Sequence, residues 1–339
     1  MEKGMTIAGN LIVDYVKTID SYPQIGMLSS ITNITKCVGG CAANTLVDIA
    51  KMDPLVPLQC IGTVGDDENG QYVLSVLDEH NIDIRSVRKS GEAPTSFTDV
   101  MSVRDTGERT FFHARGANAT FSIDDIDFNK IKGDMFHIGY ALLLDSFDKS
   151  DREYGTVMAK ALCFAKEKGL KTSMDVVSEN SNRFEGVVSS SLKYCDYFIA
   201  NEIESSMISN IPARDNQGKI ISENMKLICE ALFAKGVNEM AVIHAPEGGW
   251  LMDRRGKFTF VPALDLPHGY IKGTVGAGDA FCAGMLYSIY KELDAEKALR
   301  LASAAAAACL SHENSIDGMR KISEIMELEK KFMRYDQTI

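Results

Sequence analysis

The chain has no hydrophobic run of the ~20 residues needed to cross a bilayer. Its start, MEKGMTIAGNLIV, carries one short apolar stretch that reads as a first strand rather than a secretory leader. Basic residues are the minority, with 36 Lys and Arg against 47 Asp and Glu and a formal net charge of −11. That balance argues against nucleic acid or an anionic membrane as partner. It leaves open an anionic small molecule, because a local site can be positive inside an acidic protein. The eight cysteines form no CxxC pair, and the closest two, Cys37 and Cys41, stand four apart. They read as reduced thiols in or near a core, not as a disulfide framework or a metal knuckle. A cytoplasmic protein is therefore expected, in which the sequons at Asn33 and Asn118 are chance. There is no linker rich in Pro, Gly or Ser and no internal repeat. One large α/β domain with a lid fits 339 residues better than two tandem domains. Two nucleotide motifs are also missing: no GxGxxG fingerprint and no P-loop occurs.

What is there centres on Gly273 to Tyr290, GTVGAGDAFCAGMLYSIY. Gly276 and Gly278 flank Ala277, and Asp279 follows at once. Phe281, Met285 and Ile289 then recur at helical spacing, with Cys282 and Leu286 widening the same face. A small-residue turn thus runs straight into a buried helix. The first N–H groups of a helix have no intrahelical partner, and its dipole favours negative charge there. Glycines let that backbone close around an anion such as phosphate. Asp279 would then be an acidic group beside an anion site, although an Asp in a first helical turn often does no more than complement the dipole.

The segment Thr274 to Gly284 resembles the C-terminal signature of the PfkB/ribokinase-like carbohydrate kinase family. The resemblance implies that Gly276, Ala277 and Gly278 form an anion hole for the transferred phosphoryl group. It implies equally that Asp279 is the base that takes the acceptor hydroxyl's proton, with Thr274 on the nucleotide side. Gly273 stands where many members carry an Asp of a monovalent-cation site, so little potassium activation is expected. A second segment, Val38 to Asn44, is similar to the family's N-terminal signature GGxxxN. Gly39, Gly40 and Asn44 are then acceptor ligands on the turn that opens a helix from Ala42 to Met52.

The remaining chain follows the same order. Met5 to Val13 reads as a strand whose C-terminal end carries Asn10 and Asp14, where α/β sheets bind ligands. On the resemblance, both face the acceptor, and Asp14 accepts from its hydroxyls. Leu58 to Thr63 is a strand, followed by Asp66, Asp67 and Glu68 as solvated helix-start residues and a helix from Gln71 to His80. Thr95 to Val103 and Arg109 to Ala114 flank an Asp105-Thr106-Gly107 turn, a hairpin signal. Family members project such strands as a lid, here formed by about 14–37 and 95–115. Arg115 follows it, either neutralising a phosphate or an acidic sugar or standing as a solvated charge.

From Met135 onward strands and helices alternate, with strands at Met135 to Ile138, Lys171 to Val176, Tyr197 to Ala200 and Met240 to His244. That rhythm argues for a doubly wound, mostly parallel sheet with helices on both faces. Asn201 and Glu204 resemble the family's NxxE motif, in which the Asn reaches nucleotide phosphates and the Glu organises magnesium through water. His244 and Gly249 occupy the family's TxGxxG segment, with His244 in place of Thr and Pro246 in place of the first Gly. His244 is either a nucleotide neighbour or a structural histidine. An Ala-rich helix from Ala295 to Leu310 and an amphipathic helix from Arg320 to Phe332 complete the chain. The loop from His312 to Gly318 is where family members hold adenine.

The combined expectation is a kinase that uses ATP and Mg2+ to phosphorylate a hydroxyl of a sugar or sugar-like molecule. A nucleoside kinase on the same fold and a non-catalytic sugar-binding regulator are the alternatives. The apolar residues of the lid strands, with Phe97, Met101 and Val103 on one side and Val100 on the other, lead us to expect a homodimer joined through the lid.

Overall fold

The computed structural model describes residues 3–106, 108–179 and 183–336. Gly107, the last residue of the expected hairpin turn, lies outside them. In chain order the strands are β1 (Met5–Gly9), β2 (Ile12–Ile19), β3 (Ile31–Gly39), β4 (Leu58–Gly65), β5 (Asp83–Ser90), β6 (Ser96–Val103), β7 (Arg109–Ala114) and β8 (Met135–Ala141). Two short strands, β9 (Ser150–Asp151) and β10 (Gly155–Thr156), form a small hairpin. The series continues with β11 (Lys171–Val176), β12 (Tyr197–Asn201), β13 (Met240–Ala245), β14 (Gly248–Asp253) and β15 (Phe258–Pro262). The helices are α1 (Cys41–Met52), α2 (Glu68–Glu79), α3 (Val157–Glu167), α4 (Phe184–Leu192), α5 (Glu202–Ser209), α6 (Ser222–Ala234), α7 (Ala277–Tyr290), α8 (Ala295–Cys309) and α9 (Ile322–Lys331).

Nine strands make one sheet in the order β15-β14-β13-β12-β11-β8-β1-β4-β5. Seven of them, from β13 to β5, run parallel. Such strands are buried on both faces, and their side chains divide accordingly. Ile7 of β1, Cys60 of β4 and Val242 of β13 enter one core, shared with α1, α7 and α8. Their neighbours Ala8, Ile61 and Ile243 enter the other, shared with α3, α4 and α6. This is the doubly wound α/β arrangement with helices on both faces. A second sheet of four strands, in the order β3-β2-β6-β7, projects as the lid.

Some elements differ from the sequence reading. Met5 to Val13 is not one strand: β1 ends at Gly9 and β2 begins at Ile12, so Asp14 belongs to the lid rather than to the main sheet. The apolar run conceals this break because both halves are buried, each in a different sheet. β5 has no clean alternation because most of its residues are half-buried, whereas α6 does carry a helical stripe of Met225, Ile228, Cys229 and Leu232. The antiparallel pair β14 and β15 extends the sheet beyond β13. Asp67 is more than a solvated helix start. It caps α2 through Gly70 N and accepts from both the N–H and the hydroxyl of Thr95, anchoring the base of β6.

Candidate active site

Parallel pairing brings the C-terminal ends of β1, β8, β11, β12 and β13 to one edge of the sheet, where open α/β sheets bind ligands. The chain leaves that edge through Asn10, Tyr140, Asp175, Asn201 and His244. Above it stands the lid. Pairing of β3, β2, β6 and β7 aligns Cys37, Asp14, Thr98 and His113 in one cross-strand row, and the alternation of side chains puts that row on a single face.

Two cavities adjoin beneath this face. The first has a volume of about 690 Å³ and is lined by Asp14, Gly40, Asn44, Arg115, Asp175 and Asp279, among others. The second, of about 490 Å³, is mostly apolar, with Leu264, Leu266, Ile271, Ala307 and Tyr335 in its wall. Asn201, His244, Thr274 and Gly278 line both, so the cavities meet at the start of α7.

The turn into α7 needs its glycines. Gly276 has φ 79°, the left-handed region, and a side chain there would collide with Ser315. Ala277 and Gly278 then present the first N–H groups of a helix, with Asp279 in its first turn. Asp279 is buried, and both of its oxygens accept hydrogen bonds. Tyr140 Oη donates to Oδ1 at 2.6 Å, and Asn44 Nδ2 donates to Oδ2 at 2.7 Å. Burial, aided by the charge of Asp175, pushes the Asp279 carboxyl up to about 6, against the pull of these two hydrogen bonds. Tyr140 is held well above the usual phenol range by burial and by Asp279, so it stays a donor.

Asp14 faces the same cavity, and burial pushes its carboxyl up to about 7, with the Asp279 charge adding to the rise and a hydrogen bond from Thr98 opposing it. Gly39 is packed on that carboxylate, since a Cβ at Gly39 would collide with Asp14 Oδ2. Gly40 opens α1 beside the cavity. Asn44 keeps its carbonyl oxygen Oδ1 buried without a protein partner. Arg115 lines the cavity with its charge countered by Asp145 at 3.1 Å. Asn10 does not reach the cavity wall. Its side chain accepts from Tyr140 N and donates to Leu143 O, and so fixes the end of β8 instead. In the fold, the Asn10 amide is thus engaged with backbone on both its oxygen and its nitrogen.

Asn201 and Glu204 form a capping box at the start of α5, each side chain bonded to the other's backbone N–H. Both also line the first cavity. Burial raises the Glu204 carboxyl to about 8, opposed by hydrogen bonds from Ser178 and the Asn201 backbone and reinforced by Asp175 and Glu202. His244 stacks on Phe281 with ring centroids 4.8 Å apart, and desolvation pushes its imidazole down to about 4, so it is neutral. Gly249 faces Leu299 and Phe281 in the core, while its neighbour Gly248 lines the second cavity, as strand alternation requires. The segment from His312 to Gly318 is absent from the described lining of that cavity. It packs instead on the lid side of the glycine turn, where the Ser315 hydroxyl donates to Val38 O and Lys51 donates to Ile316 O.

Tyr140, Thr98, His113, Asp175 and Ser178 belong to the site and were not singled out in the sequence. Tyr140 follows the short HIG run at a strand end, a position worth inspecting in any parallel sheet, but nothing local marks its hydroxyl as a partner of Asp279.

A cleft built at the strand ends of a doubly wound sheet, roofed by a small second sheet and divided into two joined cavities, defines a two-substrate α/β transferase. The pfkB family carbohydrate kinase model matches residues 7–322, and the chain belongs to that family of kinases. A 5-dehydro-2-deoxygluconokinase from Clostridium perfringens is 26% identical over 335 residues, covering 95% of this chain and 91% of that one. The fold is shared with Arabidopsis thaliana ribokinase complexed with ribose and ATP, at TM-score 0.75 and 21% identity over 97% of this chain and 99% of that one. It is shared equally with a putative ribokinase II from E. coli in complex with ATP and Mg2+, at TM-score 0.75 and 18% identity over the same shares of 97% and 99%. No helix among the described residues is long and apolar enough to cross a membrane.

Proposed function

We propose that this kinase transfers the γ-phosphoryl group of ATP to a hydroxyl of a sugar-like acceptor, with Asp279 as the base. The observation that carries this reading is the position of Asp279. Its carboxylate is oriented by Tyr140 and Asn44, opens onto the first cavity, and stands one residue after the Gly278 that both cavities share. The polar first cavity suits the acceptor, with Asp14, Asn44 and the turn at Gly39 and Gly40 around its hydroxyls. The apolar second cavity suits a nucleobase. A phosphoryl group passing between them crosses the start of α7. There the N–H groups of Gly276, Ala277 and Gly278 meet the negative charge of the transition state.

The residues at the junction also fit a magnesium ion. Glu204 is a buried carboxylate beside Asn201, and it has no Arg or Lys ion-pair partner among the described residues. Glu204 would hold the ion through water, with Asn201 beside the phosphates. A bound magnesium supplies charge neutralisation between the phosphates. The protein's own share is to orient the acceptor, take its proton at Asp279 and shut out water beneath the lid.

The lid supports pairing of two chains. Ile25, Leu28 and Ile34 are 106%, 88% and 58% exposed, so the chain itself does not shelter them. A homodimer through the lid covers these side chains.

Asp279→Asn tests the reading. The variant keeps the fold and both binding sites, because the Asn oxygen still accepts from Tyr140 and a flip of the Asn44 amide turns its unpartnered Oδ1 to the new NH2. Turnover falls by ~10²-fold or more, the usual effect of removing a general base. Near wild-type turnover in steady-state assays of ADP release across sugars, sugar acids and nucleosides would remove Asp279 from the role.

A further inference from the structure

Beneath Asp279 lies a cluster that phosphoryl transfer does not use. Cys41, His137 and Asp175 are all buried, and they come from three different elements, α1, β8 and β11. Cys41 Sγ is 3.5 Å from His137 Nε2 and 3.4 Å from Asp175 Oδ1. His137 Nε2 is 3.6 Å from Asp175 Oδ1. Three such atoms around a tetrahedral zinc, with Zn–S about 2.3 Å and Zn–N and Zn–O about 2.0–2.2 Å, stand about 3.3–3.6 Å from one another. The triangle therefore already has the edges of one face of a zinc tetrahedron.

The surroundings fit a metal as well. His137 Nδ1 is 3.0 Å from Ser173 Oγ. A hydrogen bond there fixes the ring and leaves Nε2 to face the other two ligands, as the outer partners of metal-bound histidines do. Asp175 is buried, and among the described residues its ion-pair neighbour is His137 itself, with no Lys or Arg beside it. It lines the first cavity, which gives an ion a way in. A thiolate and an imidazole together select zinc over magnesium, which prefers oxygen.

We propose that Cys41, His137 and Asp175 form a zinc site, with the fourth position open towards the acceptor cavity. The site is separate from the magnesium position at Glu204, and it does not rest on the kinase reading. Its consequence for the protein is mechanical. Asn44 lies one helical turn after Cys41 on α1, and Tyr140 lies three residues after His137 on β8. These are the two residues that hold Asp279. Zinc would tie together the two elements that orient the base.

The experiment uses the full chain, stripped with a chelator, incubated with Zn2+ and desalted. One zinc per chain is expected to remain by elemental analysis, with a rise in melting temperature on zinc addition, because a ligand bound to the folded state alone stabilises it. Cobalt(II) in its place should show the intense tetrahedral visible bands and a thiolate charge-transfer band in the near ultraviolet. Cys41→Ala and His137→Ala should each weaken zinc binding by more than the ~10–100-fold that loss of an outer partner costs, and Cys41→Ala should abolish the charge-transfer band. Zinc retained undiminished in Cys41→Ala, or no retention by the wild type, would overturn the site and leave the cluster as a hydrogen bond from the Cys41 thiol to Asp175. If Cys41→Ala fails to fold, the wild-type cobalt spectrum decides alone, and an octahedral spectrum without a thiolate band counts against the proposal.

Discussion

At the scale of single residues, the site is a set of buried carboxyls that share one low-dielectric space. Asp279 rises to about 6 and Asp14 to about 7, both chiefly through burial, and the Asp279 charge adds to the rise at Asp14. A raised carboxyl takes up its proton at a higher pH than a free one, so the ionised base is lost as pH falls. The acid limb of kcat/KM should therefore lie between about 6 and 7, with apparent values that belong to the pair rather than to either residue. Asp14→Asn should leave a single, shallower limb near or below 6, measured with saturating ATP. A rate independent of pH across that range would mean that neither carboxyl acts in the ionised form. The same shifts tend to lower stability as pH rises from the unfolded carboxyl range through 6 to 7, because the folded state holds protons that the unfolded chain has already released.

At the scale of elements, the turn before α7 depends on what the lid delivers to it. A Cβ at Gly273 would stand 2.6 Å from His312 O, 2.7 Å from Glu313 O and 2.8 Å from Arg109 Nη2. Arg109, the first residue of β7, also approaches Thr274 Oγ1 at 3.5 Å. A guanidinium and two carbonyls therefore fill the space that a longer side chain at position 273 would need, and glycine offers no side-chain ligand of its own. The rate should change little when potassium replaces choline as counter-ion at fixed ionic strength. A several-fold stimulation by potassium in that assay would show that other groups build a cation site. At α5 one short element serves two purposes. The Asn201 and Glu204 capping box that starts the helix also turns both side chains towards the cavity. The carboxylate that reads as a helix-start residue and the one proposed as a magnesium partner are thus the same group.

At the scale of the whole molecule, the lid is a four-stranded sheet with one face over the site and the other away from it. Ile34, Lys17 and Met101 share a cross-strand row on the outer face. Exposed apolar edge strands invite pairing, and β3 is an edge of this sheet. The wild type should scatter light as a dimer, and Ile34→Asp and Met101→Asp should each shift it towards monomer with the fold intact. A monomeric wild type, or a dimer indifferent to both charges, would place the association elsewhere or nowhere.

Much of this architecture was legible along the chain, where local order matters. The βαβ rhythm after Met135 dictates a parallel sheet because short crossovers allow little else. The glycine turn before Asp279 and the turn at Gly39 and Gly40 are marked by residue types that only such turns require. Contacts across the sheet left no local trace. Nothing near Tyr140 announces that its hydroxyl meets a carboxylate 139 positions away. Nothing near Cys41 announces His137 and Asp175, at sequence separations of 96 and 134. Asn10 reads as an acceptor ligand, whereas in the fold its amide meets the backbone of Tyr140 and Leu143, because strand pairing, not its own identity, decides what it meets. Gly249 turned to the core and Gly248 to the cavity for the same reason. Periodicity and turn chemistry are properties of neighbours in sequence, so the chain alone determined its elements and their order. Which side chains share a low-dielectric space, and hence which carboxyls rise and which thiol could meet a metal, depends on groups far apart in the chain, and only the tertiary structure decided that.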